Sequence, residues 1–217
     1  MILYVNGDSH SAGHDAGGIM ASYGFHLSTF LKLQFRCDAT AGCSNETILS
    51  TTEQYLRNNK PDFVIIGWTT WEREEWTHNN QCVYVTSSGL DSVPEELQTR
   101  YKHWVIDSVK PEIQKQKELR WHKRIYDFHC QLLDKKIPHL FFNCYSYFHH
   151  VKYWNLPKYD WHDSYINPYE QNFTYYYWLE NKGFKPSNPK YYHYGPDAHR
   201  AWAEFLLPPV SRLLTNI

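Results

Sequence analysis

The stretch Asp62-Phe63-Val64-Ile65-Ile66-Gly67 decides the fold. Its apolar run is rich in β-branched residues, enters through Pro61 and leaves through a glycine, and shows no polar face. That pattern predicts a strand buried on both sides, as in a parallel sheet. Pro138-His139-Leu140-Phe141-Phe142-Asn143 repeats it. The opening run Ile2-Leu3-Tyr4-Val5-Asn6 stops at Gly7-Asp8-Ser9, which reads as a strand feeding a tight turn, and a shorter strand is expected at 34–38. Between these runs the periodicity turns helical. Ile19, Met20, Tyr23, Leu27, Phe30 and Leu31 mark a helix over about 18–33, and Ser44 or Asn45 caps one that runs to about 59. Further helices are expected at about 94–108, 111–135 and 172–181, and a last one opens at Pro196-Asp197 and is interrupted at Pro208-Pro209. Strands alternating with helices of this length imply right-handed βαβ units. The fold class is therefore α/β: a three-layer α/β/α sandwich with a central, mostly parallel sheet.

Two segments do not fit the alternation. Residues 68–91 read as irregular, with Ser87-Ser88-Gly89 as a turn. Residues 145–194 hold 18 of the 38 aromatic side chains with little periodicity, and read as an insertion in one domain spanning 1–217. Its rings either cover a core or present platforms to a planar ligand or sugar face; the core-covering role is the favoured one.

The chain has 217 residues, with 22 Lys plus Arg against 23 Asp plus Glu. A balance so near neutrality argues against a nucleic-acid binder, and the aromatic segment lacks the interleaved basic residues that would neutralise phosphates. No apolar stretch is long enough for a transmembrane helix, and Met1-Ile2-Leu3-Tyr4-Val5 lacks the basic start of a signal peptide, so a cytoplasmic or otherwise soluble protein with no membrane partner is expected. Cys37, Cys43, Cys82, Cys130 and Cys144 are odd in number and widely spaced, and are expected to be reduced, mostly buried thiols.

In a parallel sheet the ligand site lies outside the carboxyl ends of the strands. Three polar turns occupy that edge: Gly7-Asp8-Ser9-His10, Gly42-Cys43-Ser44-Asn45 and Gly67-Trp68-Thr69-Thr70. His193 returns to it late in the chain. These residues, with the closing block His193-Tyr194-Gly195-Pro196-Asp197-Ala198-His199-Arg200-Ala201-Trp202-Ala203, resemble the SGNH hydrolases, or GDSL-type esterases, over almost the whole length. The resemblance implies a flavodoxin-like strand order and an esterase in which Ser9 attacks a carbonyl, His193 serves as base and then acid, and the amides of Ser9 and Gly42 bind the oxyanion. No cofactor and no metal are implied.

The chain departs from the family pattern at two places. The third block usually reads Gly-x-Asn-Asp, so Thr69 stands where an oxyanion-binding asparagine is expected; its hydroxyl, or Asn45 from the second turn, is the substitute donor. The acid that normally lies three residues before the histidine is replaced by Lys190. Either a backbone carbonyl or remote carboxylate orients His193, or Ser9 works in a dyad, or the base pair is instead Asp197 with His199. The helical start at Pro196 favours His193, because His199 then falls inside the helix. His10, Trp68, Trp71 and Arg73 are candidate substrate contacts, Arg73 through a carboxylate. His10 with His14, or His149 and His150 with His162, are histidine groupings without a known metal motif. The function expected is hydrolysis of small acyl esters, with O-acetyl groups on carbohydrate as one candidate among them. The rival is a weakly active or inactive protein of the same fold that binds a glycan through its aromatic segment.

Overall fold

The computed structural model describes residues 1–188 and 191–215; Lys190, discussed above, lies outside the described residues. Four parallel strands form the central sheet in the order β2-β1-β3-β6: β1 (Ile2–Gly7), β2 (Gln34–Cys37), β3 (Phe63–Trp68) and β6 (His139–Asn143). β1, β3 and β6 were legible as apolar runs and β2 as the shorter strand expected at 34–38, and the order matches the flavodoxin-like expectation. Register pairs Gly7 with Gly67 and Trp68 with Asn143, so β1, β3 and β6 end almost level and their turns share one edge.

The period-two alternation of the strands builds two cores. Tyr4, Val64, Ile66, Trp68 and Phe141 face one way, against Ile48, Leu49 and Leu56 of α2 (Asn45–Asn58) and Trp121, Ile125, Phe128 and Leu132 of α4 (Pro111–Asp134). Leu3, Val5, Phe63, Ile65, Leu140 and Phe142 face the other. They meet Tyr23 and Leu27 of α1 (Tyr23–Leu31), Tyr175 and Leu179 of α6 (Tyr175–Asn181), and Trp202 and Leu206 of α7 (Pro196–Thr215).

Two elements differ from expectation. The segment read as irregular contains an antiparallel hairpin, β4 (Glu74–His78) and β5 (Gln81–Val85), turned by Asn79 and Asn80, both left-handed at φ 48° and 60°. Asparagine tolerates that region, which makes a two-residue hairpin turn possible. Trp76 and Val85 pack the hairpin onto Tyr101 and Trp104 of α3 (Gln98–Ser108). Nor do Pro208 and Pro209 interrupt the last helix, which runs on to Thr215. The missing amide bonds cost about 3 kcal/mol or more, and burial of Leu206 and Val210 on either side of the pair offsets that cost.

The aromatic segment mostly covers core: Phe148, Trp161, Tyr165, Tyr169, Tyr175, Tyr176 and Tyr194 are buried, and a short helix α5 (His149–Tyr153) crosses it. Tyr145, Tyr153, Trp154, Phe173, Tyr191 and Tyr192 remain exposed. All five cysteines are unpaired, and of these only Cys43 and Cys144 are buried, fewer than expected. Among the described residues no helix is long and apolar enough to cross a membrane.

Candidate active site

The turn after β1 is tight. Gly7 has φ 155°, and a Cβ there would lie 2.1 Å from Ser11 Oγ and 2.8 Å from the Gly67 carbonyl oxygen, so only glycine lets the chain leave the strand so close to β3. The chain then coils: Ala12 N–H donates to the Asp8 carbonyl at 3.0 Å, and His14 N–H to the Ser9 carbonyl at 3.0 Å. This coil holds Ser9 at the sheet edge and brings Asp15, itself left-handed at φ 61°, back over it.

The loop before α7 delivers His193 to the same place. Ser9 Oγ donates to His193 Nε2 at 2.9 Å, and His193 Nδ1 donates to Asp15 Oδ2 at 2.7 Å. Ser9 and His193 are 4% and 6% exposed. The hydrogen bond from His193 is the main reason the Asp15 carboxyl lies below its ordinary value; a second, from the Asn188 side chain, and the nearby His14 act the same way. Ser9, His193 and Asp15 thus form a continuous line of hydroxyl, imidazole and carboxylate.

Asp15 is the residue sequence reasoning missed. The family pattern directs attention three residues before the histidine, whereas this carboxylate follows the serine by six positions. The available signal was the run Gly13-His14-Asp15-Ala16-Gly17-Gly18, where a lone carboxylate sits among glycines that permit a reversing loop. Its partner lies 178 residues away in sequence.

Other expected residues fall in several places. Gly42, at φ 77°, lines the cleft with Ser9 and His193. Among the described residues no acceptor takes the amide of either Ser9 or Gly42. Thr69 also lines the cleft, but its hydroxyl donates to Asp8 Oδ2 at 2.7 Å. Asn45 turns both amide atoms onto Thr69: Oδ1 accepts from Thr69 N at 2.9 Å, and Nδ2 donates to Thr69 O at 3.1 Å. The single proton of the Thr69 hydroxyl is thus taken by Asp8, and Asn45 is pinned to the Thr69 backbone and is not among the residues that line the cleft.

Asp8 is wholly buried. Burial alone would raise its carboxyl; His10, Arg73, the Thr69 hydroxyl and the His10 amide outweigh that and hold it below the carboxylate range. Arg73 Nη1 lies 3.1 Å from Asp8 Oδ2 and donates to the Cys43 carbonyl at 3.3 Å. His10 stands edge-on to His193 with ring centroids 5.2 Å apart. Burial pushes it down to about 4, so it is neutral near pH 7, and its Nδ1 has no hydrogen-bond partner among the described residues.

Trp68 and Trp71 are corrections. Trp68 is fully buried, edge-on to Phe128 and Phe141, because it ends β3 on the core side, and no cleft ligand reaches it. Trp71 stacks on Phe148 at 4.9 Å and, outside the cleft lining itself, lines an adjoining cavity that shares Glu72 and Tyr145 with the cleft. The alternative base is excluded by its partners: His199 Nδ1 accepts from Tyr23 N at 3.2 Å and its Nε2 lies 3.2 Å from Tyr175 Oη, so both ring nitrogens face the core and Asp197 stays at the helix start. Burial drives His199 down to about 3.

The only grouping of metal-type ligands among the described residues is His14, Asp15 and His193, whose donor atoms lie within 4.8 Å of one another. A cation there must displace the Asp15–His193 hydrogen bond. The cleft has a volume of about 750 Å³, within the range of small-molecule sites, and Tyr84, Tyr145, Tyr191 and Tyr192 line its wall.

A three-layer sandwich whose parallel strands present a serine after β1 and a histidine before the last helix has the fold of the SGNH hydrolases. Solved structures agree. The chain is similar to TesA over 98% of this chain and 99% of that one, at 12% identity and TM-score 0.52. It is similar to an acetyl xylan esterase (Est2A) from the rumen bacterium Butyrivibrio proteoclasticus over 99% of this chain and 64% of that one, at 13% identity and TM-score 0.51. A carbohydrate esterase, described as having divergent catalytic and non-catalytic binding functions at its active site, aligns over 97% of this chain and 64% of its own, at 12% identity and TM-score 0.50. The recognition of this fold from Gly7-Asp8-Ser9 and the closing block is borne out, and the low identities make this chain a divergent example. No protein-family model and no curated protein matches the sequence.

Proposed function

We propose that this protein is a serine ester hydrolase acting on small acyl esters, with O-acetyl groups on carbohydrate as the favoured substrate class. One observation carries the reading: the Ser9 hydroxyl lies 2.9 Å from an imidazole whose other nitrogen is held by Asp15. His193 Nε2 takes the Ser9 proton as Oγ attacks the acyl carbon, and the Asp15 carboxylate fixes the tautomer and stabilises the imidazolium. The amides of Ser9 and Gly42 bind the oxyanion. The imidazolium then protonates the leaving alcohol, and water, deprotonated by the same nitrogen, hydrolyses the acyl-enzyme. The tyrosines along the cleft wall suit a sugar face, and the acetyl xylan esterase among the structural neighbours supports that choice.

The test is labelling by a fluorophosphonate together with acetate release from acetylated xylan. Wild-type protein should be labelled on Ser9, Ser9→Ala should not, and His193→Ala should react far more slowly. An unlabelled wild type that still binds the glycan would replace the hydrolase with a binding protein. That rival draws support from one observation, the engagement of the Thr69 hydroxyl by Asp8.

A further inference from the structure

Resting on the hydrolase reading, we propose that Arg73 supplies the third oxyanion donor, in the role that Thr69 cannot fill. The turn that should offer a side-chain donor is closed to it, since the Thr69 hydroxyl points into Asp8 and the Asn45 amide is bound at both ends. Arg73 reaches the same corner from the loop before β4. Its Nη1 bridges Asp8 Oδ2 and the Cys43 carbonyl, the residues directly beside Ser9 and Gly42 in sequence. The guanidinium is thereby seated between the two turns that carry Ser9 and Gly42 along the cleft.

Its remaining donors are unspent. Among the described residues no hydrogen-bond acceptor takes Nε or Nη2, although the side chain is only 15% exposed and lines the cleft with Ser9, Gly42 and His193. A planar guanidinium anchored at one nitrogen presents the others in a fixed direction, which a lysine cannot do. Fixing it beforehand against Asp8 means that little reorganisation is needed when negative charge develops on the carbonyl oxygen. Asp8 thus acts as a positioning residue for Arg73, and its burial explains why the nucleophile turn keeps a carboxylate outside the line from Ser9 to Asp15.

The rival explanation is that Arg73 only neutralises buried Asp8. Hydrolysis of p-nitrophenyl acetate by wild type, Arg73→Lys, Arg73→Gln, Asp8→Asn and the double variant Asp8→Asn/Arg73→Gln separates the two. Folding of each is checked by circular dichroism and thermal unfolding. A donor role predicts a loss in kcat of about 10²–10³-fold in Arg73→Gln with KM nearly unchanged. It also predicts that Arg73→Lys stays slow although it keeps the charge, that the double variant is no faster than Arg73→Gln, and that added guanidinium partly restores Arg73→Gln. Recovery of the double variant to the rate of Asp8→Asn, or an increase in KM at constant kcat, overturns the proposal while leaving the hydrolase intact. A wild type that neither turns over ester nor takes the fluorophosphonate overturns both.

Discussion

Replacing Asp15 by asparagine is the sharpest test of the geometry, because it keeps the shape and removes the charge. The carboxylate accepts one charge-assisted hydrogen bond from His193 at 2.7 Å. Such bonds contribute about 1.5–3 kcal/mol. The Asp15 side chain is 30% exposed, so solvent screens part of this, and the lower half of the range is the appropriate one. At about 1.4 kcal/mol per factor of ten, kcat should fall about 10- to 10²-fold. If the asparagine presents its NH₂ to Nδ1, the ring must carry its proton on Nε2, where it no longer accepts from Ser9, and the loss approaches the roughly 10⁴-fold known for a buried triad aspartate. The assay is kcat for p-nitrophenyl acetate alongside the rate of fluorophosphonate labelling, with Asp197→Asn as a control expected to match wild type. A folded Asp15→Asn protein within twofold of wild type in both measurements would refute the role given to this residue.

Other expectations follow from the same structure. His199→Ala should keep Ser9 labelling but lose about 1–3 kcal/mol of stability in urea unfolding, since the Tyr23 amide and Tyr175 hydroxyl are left unpaired in the core; loss of labelling in a folded variant would restore His199 as the base. Gly42→Ala meets only Tyr84 Cβ, at 3.7 Å, so its cost is the left-handed backbone, about 1–2 kcal/mol. If the amide binds the oxyanion, kcat should fall with KM steady, and an unchanged kcat would remove Gly42 from the oxyanion site. Stability should also fall with acid. His10, His139 and His199 are buried and neutral, pushed down to about 4, 4 and 3. The unfolded chain takes up those protons below about pH 6.5, so stability is complete above that pH and is lost as pH falls toward 4, by up to about 1.4 kcal/mol per pH unit for each proton. Equal unfolding free energies at pH 7 and pH 5 would contradict the burial of these rings.

The sheet was readable because β1, β3 and β6 are apolar runs too short for a helix and bounded by proline, glycine or a polar turn, while β2 was expected only as a short strand between two helices. Those are local properties, and Phe63 to Ile66 carry them plainly. The β4–β5 hairpin was not read because Glu74, Glu75 and Arg73 masked the alternation that buries only Trp76 on β4. Within the site, Ser9 and His193 were singled out through the resemblance of Gly7-Asp8-Ser9 and the closing block to the SGNH hydrolases, and each adjoins a boundary, a strand end and a helix start, that is legible in the sequence. The place of Asp15 and the engagement of Thr69 by Asp8 depend on which loop closes over which. No local pattern encodes that closure; it is set by contacts such as Gly7 against Gly67, sixty residues apart.

Ser9 and Asp15 sit on a single loop, while the imidazole between them arrives with the segment that leads into α7, and α7 docks on α1 through His199 and Tyr23. On the hydrolase reading, Ser9 therefore stays a harmless alcohol at the sheet edge until that segment docks. Reactivity would then appear only once α7 has been captured on α1, so the onset of fluorophosphonate labelling during refolding would time that docking step.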